Sequence, residues 1–362
     1  MINEELKKRK LPNLFQMPNG QIIKTKEEWE NIARPYWKKI ILREEYGQIP
    51  PMIHLEISIK NKTEFSGKTV LEEVSFTFKF NDKEYSVPTQ LFYPKNKKEL
   101  PFFIYLNFDT DILPSWALPV EEILDNGFGL FTVCYNDITR DNGDFSHGLA
   151  GLFDRAEDKG DNTGKIVHWS YMASRMMDYL QTRQEARNNA IGVAGHSRLG
   201  KTALLTAALD ERFAFACVNE SGTSGAALSR EICQGGETIK DIYERFPFWF
   251  CSNYAKYMGN ESALPFDQHC LAALVAPRTL YVGGAFEDIW ADNDNQFLTC
   301  VAASPVWDLY GKKGVVAPNR LPICGDSFME GNVGFYLRKG THFLGRDDWR
   351  IYMDTLKKKF NN

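Results

Sequence analysis

The chain has 362 residues, of which 43% are hydrophobic and 25% charged, with a formal net charge of −4. That supplies a large apolar core without a metal or disulfide framework. The acidic balance argues against nucleic acid or another polyanion as partner.

Seven cysteines (Cys134, Cys217, Cys233, Cys251, Cys270, Cys300 and Cys324) include no CxxC pair. Several sit in apolar runs, so they read as buried thiols, and no zinc pattern is visible. The Lys-rich pieces around Lys95–Lys98 and Lys357–Lys359 are short and read as solvated surface charge. Met1–Lys10 has no apolar signal core, and no stretch approaches a membrane span. A cytoplasmic protein is expected from the chain as given, or a secreted one if it is a trimmed mature form. It is expected to be a monomer, with no cofactor and no metal.

Residues 1–66 read as an N-terminal arm packing on the core, and 67–362 as a catalytic domain. The arm holds a Trp-rich helical piece, Glu27–Trp37, and the Pro-rich Ile49–Pro51. Val70–Phe80 alternates apolar and polar residues as a half-buried strand does, with Val87–Tyr93 as its hairpin partner. Pro101–Asn107 and Gly129–Tyr135 are near-continuous apolar runs, the pattern of strands buried on both faces. Between them, Val120–Asn126 reads as a helix closed by Gly127. Residues 136–165, rich in Asp, Asn and Gly, are expected to form a long surface loop.

Helices are expected at Trp169–Arg183, Lys201–Leu209, Trp290–Leu309 and Asp347–Phe360. Strands are expected at Asn189–Ala194, Phe213–Val218, Arg278–Val282 and Gly334–Arg338. Alternating strands and helices imply an α/β fold, with a mostly parallel sheet covered on both faces as a three-layer sandwich.

Within that order, Gly195-His196-Ser197-Arg198-Leu199-Gly200 lies between a buried strand and a helix. This is the setting of a nucleophile elbow, a sharp turn that exposes a Ser hydroxyl at the top of an α/β-hydrolase sheet. The competing reading is a Ser that merely caps the helix. A nucleophilic Ser needs a base, which in this fold follows the last strand. His342 is the one His after residue 300 and follows Gly334–Arg338. His196 adjoins the Ser and is expected to point away from it, and His269 reads as a structural hydrogen bonder. Two carboxylates could orient the base: Glu220 after Phe213–Val218, or Asp288 after Arg278–Val282.

Several motifs together resemble one family. Gly195–Lys201 resembles the G-C-S-R-x-G-K signature of glucuronoyl esterases. Asn219–Gly225 closing at Arg230, Phe266–Arg278, Glu287–Asp292 and Thr341–Phe343 are similar to further family segments. The resemblance implies a metal-free Ser-His-acid esterase that hydrolyses the ester between a glucuronic acid branch of xylan and an alcohol. Glucuronoxylan fragments would be the partner. Carried over, Ser197 is the nucleophile, His342 the base, Glu220 the first acid position and Asp288 the acid of some bacterial members. Arg198 would stabilise the oxyanion, Lys201 would contact sugar hydroxyls and Trp290 would line the sugar site.

The chain departs from the pattern at His196 (for Cys), Ser224 (for Gly) and Leu228-Ser229 (for Cys-Trp). These departures keep open an acetylxylan or other carbohydrate acetyl esterase. An inactive hydrolase fold that only binds carbohydrate is a further alternative.

Overall fold

The computed structural model describes residues 1–110, 117–153, 155 and 157–360. A ten-stranded sheet runs through the molecule in the order β1-β2-β3-β5-β4-β6-β7-β8-β10-β9. Its strands are β1 His54–Phe65, β2 Thr69–Phe80, β3 Lys83–Pro94, β4 Leu100–Asn107, β5 Gly129–Cys134, β6 Ala186–His196, β7 Phe215–Asn219, β8 Thr279–Ala285, β9 Ser327–Phe328 and β10 Val333–Arg338. The stretch from β5 to β10 is parallel, while β1, β2, β3 and β9 are antiparallel additions at the edges.

Strand alternation divides the core in two. Phe102, Ile104 and Leu106 of β4 face helices Lys165–Leu180 and Arg198–Leu209. Phe103 and Tyr105 face the other way, against Ile123 and Leu124 of helix Val120–Asp125 and Trp349, Tyr352 and Met353 of helix Arg346–Phe360. The two cores are the two interfaces of a three-layer sandwich, the α/β-hydrolase arrangement.

The structure extends the sequence reading in four places. Residues 54–65, expected inside the arm, form the edge strand β1 and pair with β2 along their length. The stretch 136–165 is not all surface: Thr139, Leu149, Leu152 and Lys165 are buried. The expected helix Trp290–Leu309 is broken at Asp292, which is left-handed with φ 52°, and again at Ser304, before Pro305. The arm's helical run spans Lys26–Tyr46, longer than the Trp-rich piece, and buries Trp29, Trp37, Ile41 and Tyr46. Among the described residues, no helix is long and apolar enough to cross a membrane, and all seven cysteines are free thiols, five of them buried.

The connection that positions the site is β6 to helix Arg198–Leu209. A β-carbon on Gly195 would lie 2.1 Å from the Leu199 carbonyl oxygen, and one on Gly200 would lie 2.8 Å from the Asn219 carbonyl oxygen. The turn is therefore as tight as backbone contact allows. Gly195→Ala is expected to force the helix start away from β6 and to cost about 2 kcal/mol or more. A urea denaturation midpoint that matched the parent protein would contradict this.

Candidate active site

Ser197 is the first residue after β6, with φ 57° and ψ −126°, a conformation that costs a non-glycine residue energy. Its backbone N–H donates to Asn219 O at 2.9 Å, tying the turn to the end of β7. Although Ser197 occupies the N-cap position, its side chain makes no cap hydrogen bond. The capping alternative therefore finds no support. The hydroxyl stands at the N-terminus of helix Arg198–Leu209, where unpaired backbone N–H groups and the positive dipole end favour a developing oxyanion.

Arg198 points away from the helix into a cage. Its Nη1 pairs with Asp141 Oδ2, and its guanidinium lies 4.8 Å from the Trp249 ring centre and 5.3 Å from that of Phe246. Phe246 and Trp249 are stacked at 4.0 Å, and Trp249 Nε1 donates to Asp141 Oδ1 at 2.6 Å. Asp141 thus holds both the cation and one wall of its cage.

His342 sits in the loop after β10 with its ring half-exposed. Its Nδ1 donates to Asp288 Oδ2 at 2.7 Å, and Glu220 Oε2 lies 3.3 Å from the same nitrogen. Both carboxylates are buried. The structure thus brings both candidate acids to one imidazole nitrogen, with Asp288 the closer. Burial alone would depress the His342 pKa, but its hydrogen bonds to Asp288 and Glu220 prevail and raise it to about 9. Burial lifts Glu220 to about 7, opposed by His342 and Arg338 and reinforced by Asp288. Burial also works against the Asp288 carboxylate, yet the His342 hydrogen bond and charge leave it below the usual Asp value.

His196, expected to point away from the serine, instead packs its ring 4.5 Å from that of His342. Its Nδ1 donates to Asn219 Oδ1 at 2.6 Å. Burial and the neighbouring His342 charge push its pKa down to about 3, so it packs there as a neutral ring. His269 Nε2 donates to Pro12 O at 2.9 Å, the structural role expected of it.

The sugar-facing expectation is altered for Lys201. Its ammonium is buried and donates to the carbonyls of Ser221, at 2.6 Å, and Thr223. A buried ammonium must satisfy its protons locally, and these carbonyls belong to the loop after β7. Trp290 is partly exposed at the rim, and its Nε1 donates to Glu237 Oε1 at 2.9 Å. Glu237 Oε2 is 3.5 Å from Lys201 Nζ, so Glu237 joins the two residues. Arg245 lies 5.0 Å from the Trp290 ring centre.

Asp141, Trp249, Glu237 and Arg338 escaped the sequence reading. The run Phe246-Pro-Phe-Trp-Phe250, an aromatic cluster outside any strand pattern, was a usable signal for Trp249. The other three are single charged residues in loops or at a strand end, with no spacing to mark them.

Glu220, Asp288 and His342 place ligand atoms within 4.8 Å of one another, close enough for a metal ion. The Arg338 guanidinium 2.7 Å from Glu220 Oε1 would repel a dication there. The set reads instead as an imidazole held between two acids.

Comparison with known proteins agrees with the fold. Residues 76–311 match the family described as glucuronyl esterase, fungi, a span that includes Ser197, Glu220 and Asp288 and stops short of His342. A glucuronoyl esterase from Solibacter usitatus superposes with a TM-score of 0.88 at 32% identity, covering 97% of this chain and 98% of that one. A carbohydrate esterase of an unknown prokaryotic organism is 29% identical over 97% of this chain and 89% of its own length. A 4-O-methyl-glucuronoyl methylesterase from Cerrena unicolor is 28% identical over 83% of this chain and 62% of its own length. The protein is a carboxylic ester hydrolase of the α/β-hydrolase fold. Within that class it belongs to the glucuronoyl esterase family.

The Asp141 contact gives a test of the Arg198 cage. Asp141→Asn keeps the acceptor for Trp249 and removes the carboxylate charge that pairs with Arg198. The loss of one charge-assisted hydrogen bond, ~1.5 kcal/mol, is expected to lower kcat/KM for ester hydrolysis about 10-fold. The thermal midpoint should fall only slightly, and an unchanged kcat/KM would show that the cage has no part in the reaction.

Proposed function

We propose that the chain hydrolyses 4-O-methyl-glucuronoyl esters of xylan by two-step acyl transfer, with Ser197 as nucleophile, His342 as base and Asp288 as the acid that orients it. One observation carries the reading. Ser197 is strained and uncapped at a helix N-terminus, and the residue before it packs against a His whose Nδ1 is held by Asp288 at 2.7 Å. The name of the Cerrena unicolor relative supports the choice of ester.

In the first step His342 Nε2 takes the Ser197 proton while Oγ attacks the ester carbonyl. The oxyanion rests at the helix N-terminus beside Arg198. His342 returns the proton to the departing alcohol, and water repeats the path to release the uronic acid. Asp288 keeps the proton on Nδ1, leaving Nε2 free to accept, and stabilises the imidazolium as it forms. Glu220, farther from Nδ1, also accepts the Phe343 N–H at 3.1 Å and so helps to build the His342 loop.

Glu237 and Trp290 form the wall that meets the sugar hydroxyls, with Lys201 behind Glu237. An acetyl group offers this wall nothing specific to bind. The uronate reading therefore predicts higher kcat/KM on methyl glucuronate than on acetylated xylan in a side-by-side assay. The reverse order would favour the acetyl esterase.

Ser197→Ala is expected to abolish hydrolysis of a glucuronate ester while leaving the fold intact, and wild-type turnover in that variant would refute the reading. The base must be neutral to act, so activity falls as pH drops and His342 gains its proton. Both acids favour the imidazolium, so this acid limb lies above the ~6.5 of a free imidazole. Asp288→Asn removes the nearer acid, which lowers the His342 pKa and moves the limb to lower pH. Its kcat is expected to fall about 10²-fold rather than the ~10⁴-fold that follows loss of a lone orienting acid, because Glu220 remains nearby. If Glu220→Gln moves the limb further than Asp288→Asn does, the two acids exchange roles.

A further inference from the structure

We propose that Arg338, the last residue of β10, is a positioning residue for the reaction: its guanidinium clamps the His342 loop onto Glu220 and the final helix, and so sets where the His342 ring stands. This rests on the reading of His342 as the base.

The loop rests mainly on polar contacts, among them the Glu287 N–H on Gly340 O at 2.9 Å. Thr341, His342 and Phe343 are all exposed, and the segment has no helix or strand hydrogen bonds. A loop with three exposed residues in a row is loosely held unless polar contacts restrain it. Arg338 supplies them from one side chain. Its Nη1 donates to Lys339 O at 3.0 Å. Its Nη2 donates to Thr341 O at 3.3 Å and to Phe343 O, the carbonyls on either side of His342.

The same guanidinium is anchored at both ends. Nη2 reaches Glu220 Oε1 at 2.7 Å, and Nε donates to both oxygens of Asp348, at 2.9 and 3.0 Å. Glu220 returns to the loop by accepting the Phe343 N–H. Asp348 is fully buried and is itself pinned, by Tyr336 Oη at 2.7 Å and the Gly345 N–H at 2.8 Å. Asn219 Nδ2 approaches Asp348 at 3.3 Å, and Asn219 Oδ1 holds His196, whose ring packs on His342. The contacts form a closed circuit through Arg338, Asp348, Asn219, His196, His342 and Glu220. A planar fork with five donors, some of them shared between two acceptors, can reach all six acceptor atoms, whereas a lysine ammonium with three cannot.

The test compares Arg338→Lys, Arg338→Gln and Arg338→Ala, each shown to fold by a cooperative thermal melt. A fluorophosphonate titration counts competent Ser197, so that kcat is expressed per active site. Displacing a base by about 1 Å is expected to lower kcat about 100-fold in Arg338→Gln with KM nearly unchanged, since the Glu237–Trp290 wall is not among the contacts of Arg338. Arg338→Lys should fall between, and added guanidinium ion should restore part of the Arg338→Ala rate. A structural defect would instead reduce the titratable fraction and worsen with guanidinium.

Wild-type kcat in Arg338→Gln overturns the proposal. If that variant does not fold, wild-type kcat in Arg338→Lys overturns it equally. Ser197→Ala, run alongside, separates the two claims: its activity would sink the serine reading itself, whereas an inactive Ser197→Ala beside a fully active Arg338→Gln sinks only the clamp.

Discussion

One imidazole nitrogen faces two carboxylates: Nδ1 of His342 lies 2.7 Å from Asp288 and 3.3 Å from Glu220. Two buried like charges whose oxygens lie within 4.8 Å repel strongly unless cations or a proton intervene. The molecule supplies both remedies. Arg338 neutralises Glu220 from the far side, and burial holds the Glu220 carboxyl near neutrality at about 7. Asp288 is then left as the firm anion, lowered by His342 itself. The division of labour between two acids at one base thus follows from their surroundings. Glu220 shares its charge with a guanidinium and a backbone N–H, whereas Asp288 spends its nearest oxygen on the imidazole.

The same end of the sheet bears the cost of the serine turn. A residue at φ 57° persists only where its neighbours over-determine it. Here β6 and β7 pair in register up to His196 and Asn219, and the Ser197 N–H continues that ladder onto the Asn219 carbonyl. Asn219 therefore serves both halves of the site. Its backbone holds the serine turn, while its side chain holds His196 against the base. Glu220, the next residue, is also at positive φ, 43°, and its N–H donates to Gly283 O on β8. The two strained residues are thus tied to the hydrogen-bonded ends of neighbouring parallel strands.

The parallel core was legible because its strands are long apolar runs between periodic helices, and their order places Ser, acid and His in sequence. Positions at loop ends followed from that order: Glu220, Asp288 and His342 converge as chain order implied, and Ser197 stands next to His196, whose ring packs on His342. What the pattern could not carry is side-chain direction. Lys201, one helical turn past Ser197, is drawn inward by two carbonyls, a matter of local hydrogen-bond demand that spacing does not encode. Strand β1 did leave a trace, since Leu55, Ile57 and Ile59 alternate with polar residues, but the nearby Pro-rich Ile49–Pro51 made the region read as an irregular arm. Asp141 and Arg338 act through contacts 57 and 118 residues away, to Arg198 and Glu220, and no local periodicity reports such pairings.

The buried Lys201 also bears on substrate choice. An ammonium whose three protons face two carbonyls and Glu237, at 3.5 Å, contributes none to a ligand, but it adds positive potential behind that carboxylate. Glu237 is also held by Trp290 Nε1, so its carboxylate is oriented before any ligand arrives. A pre-oriented carboxylate beside an aromatic ring suits a polyhydroxylated ring, which presents donors to the acid and C–H faces to the indole. On the proposed reading, discrimination for the uronate then arises from Glu237 and Trp290, with Lys201 acting one layer back. Its conservative replacement by arginine would not preserve that arrangement, because a planar fork cannot enter the space that the Ser221 and Thr223 carbonyls close around a compact ammonium.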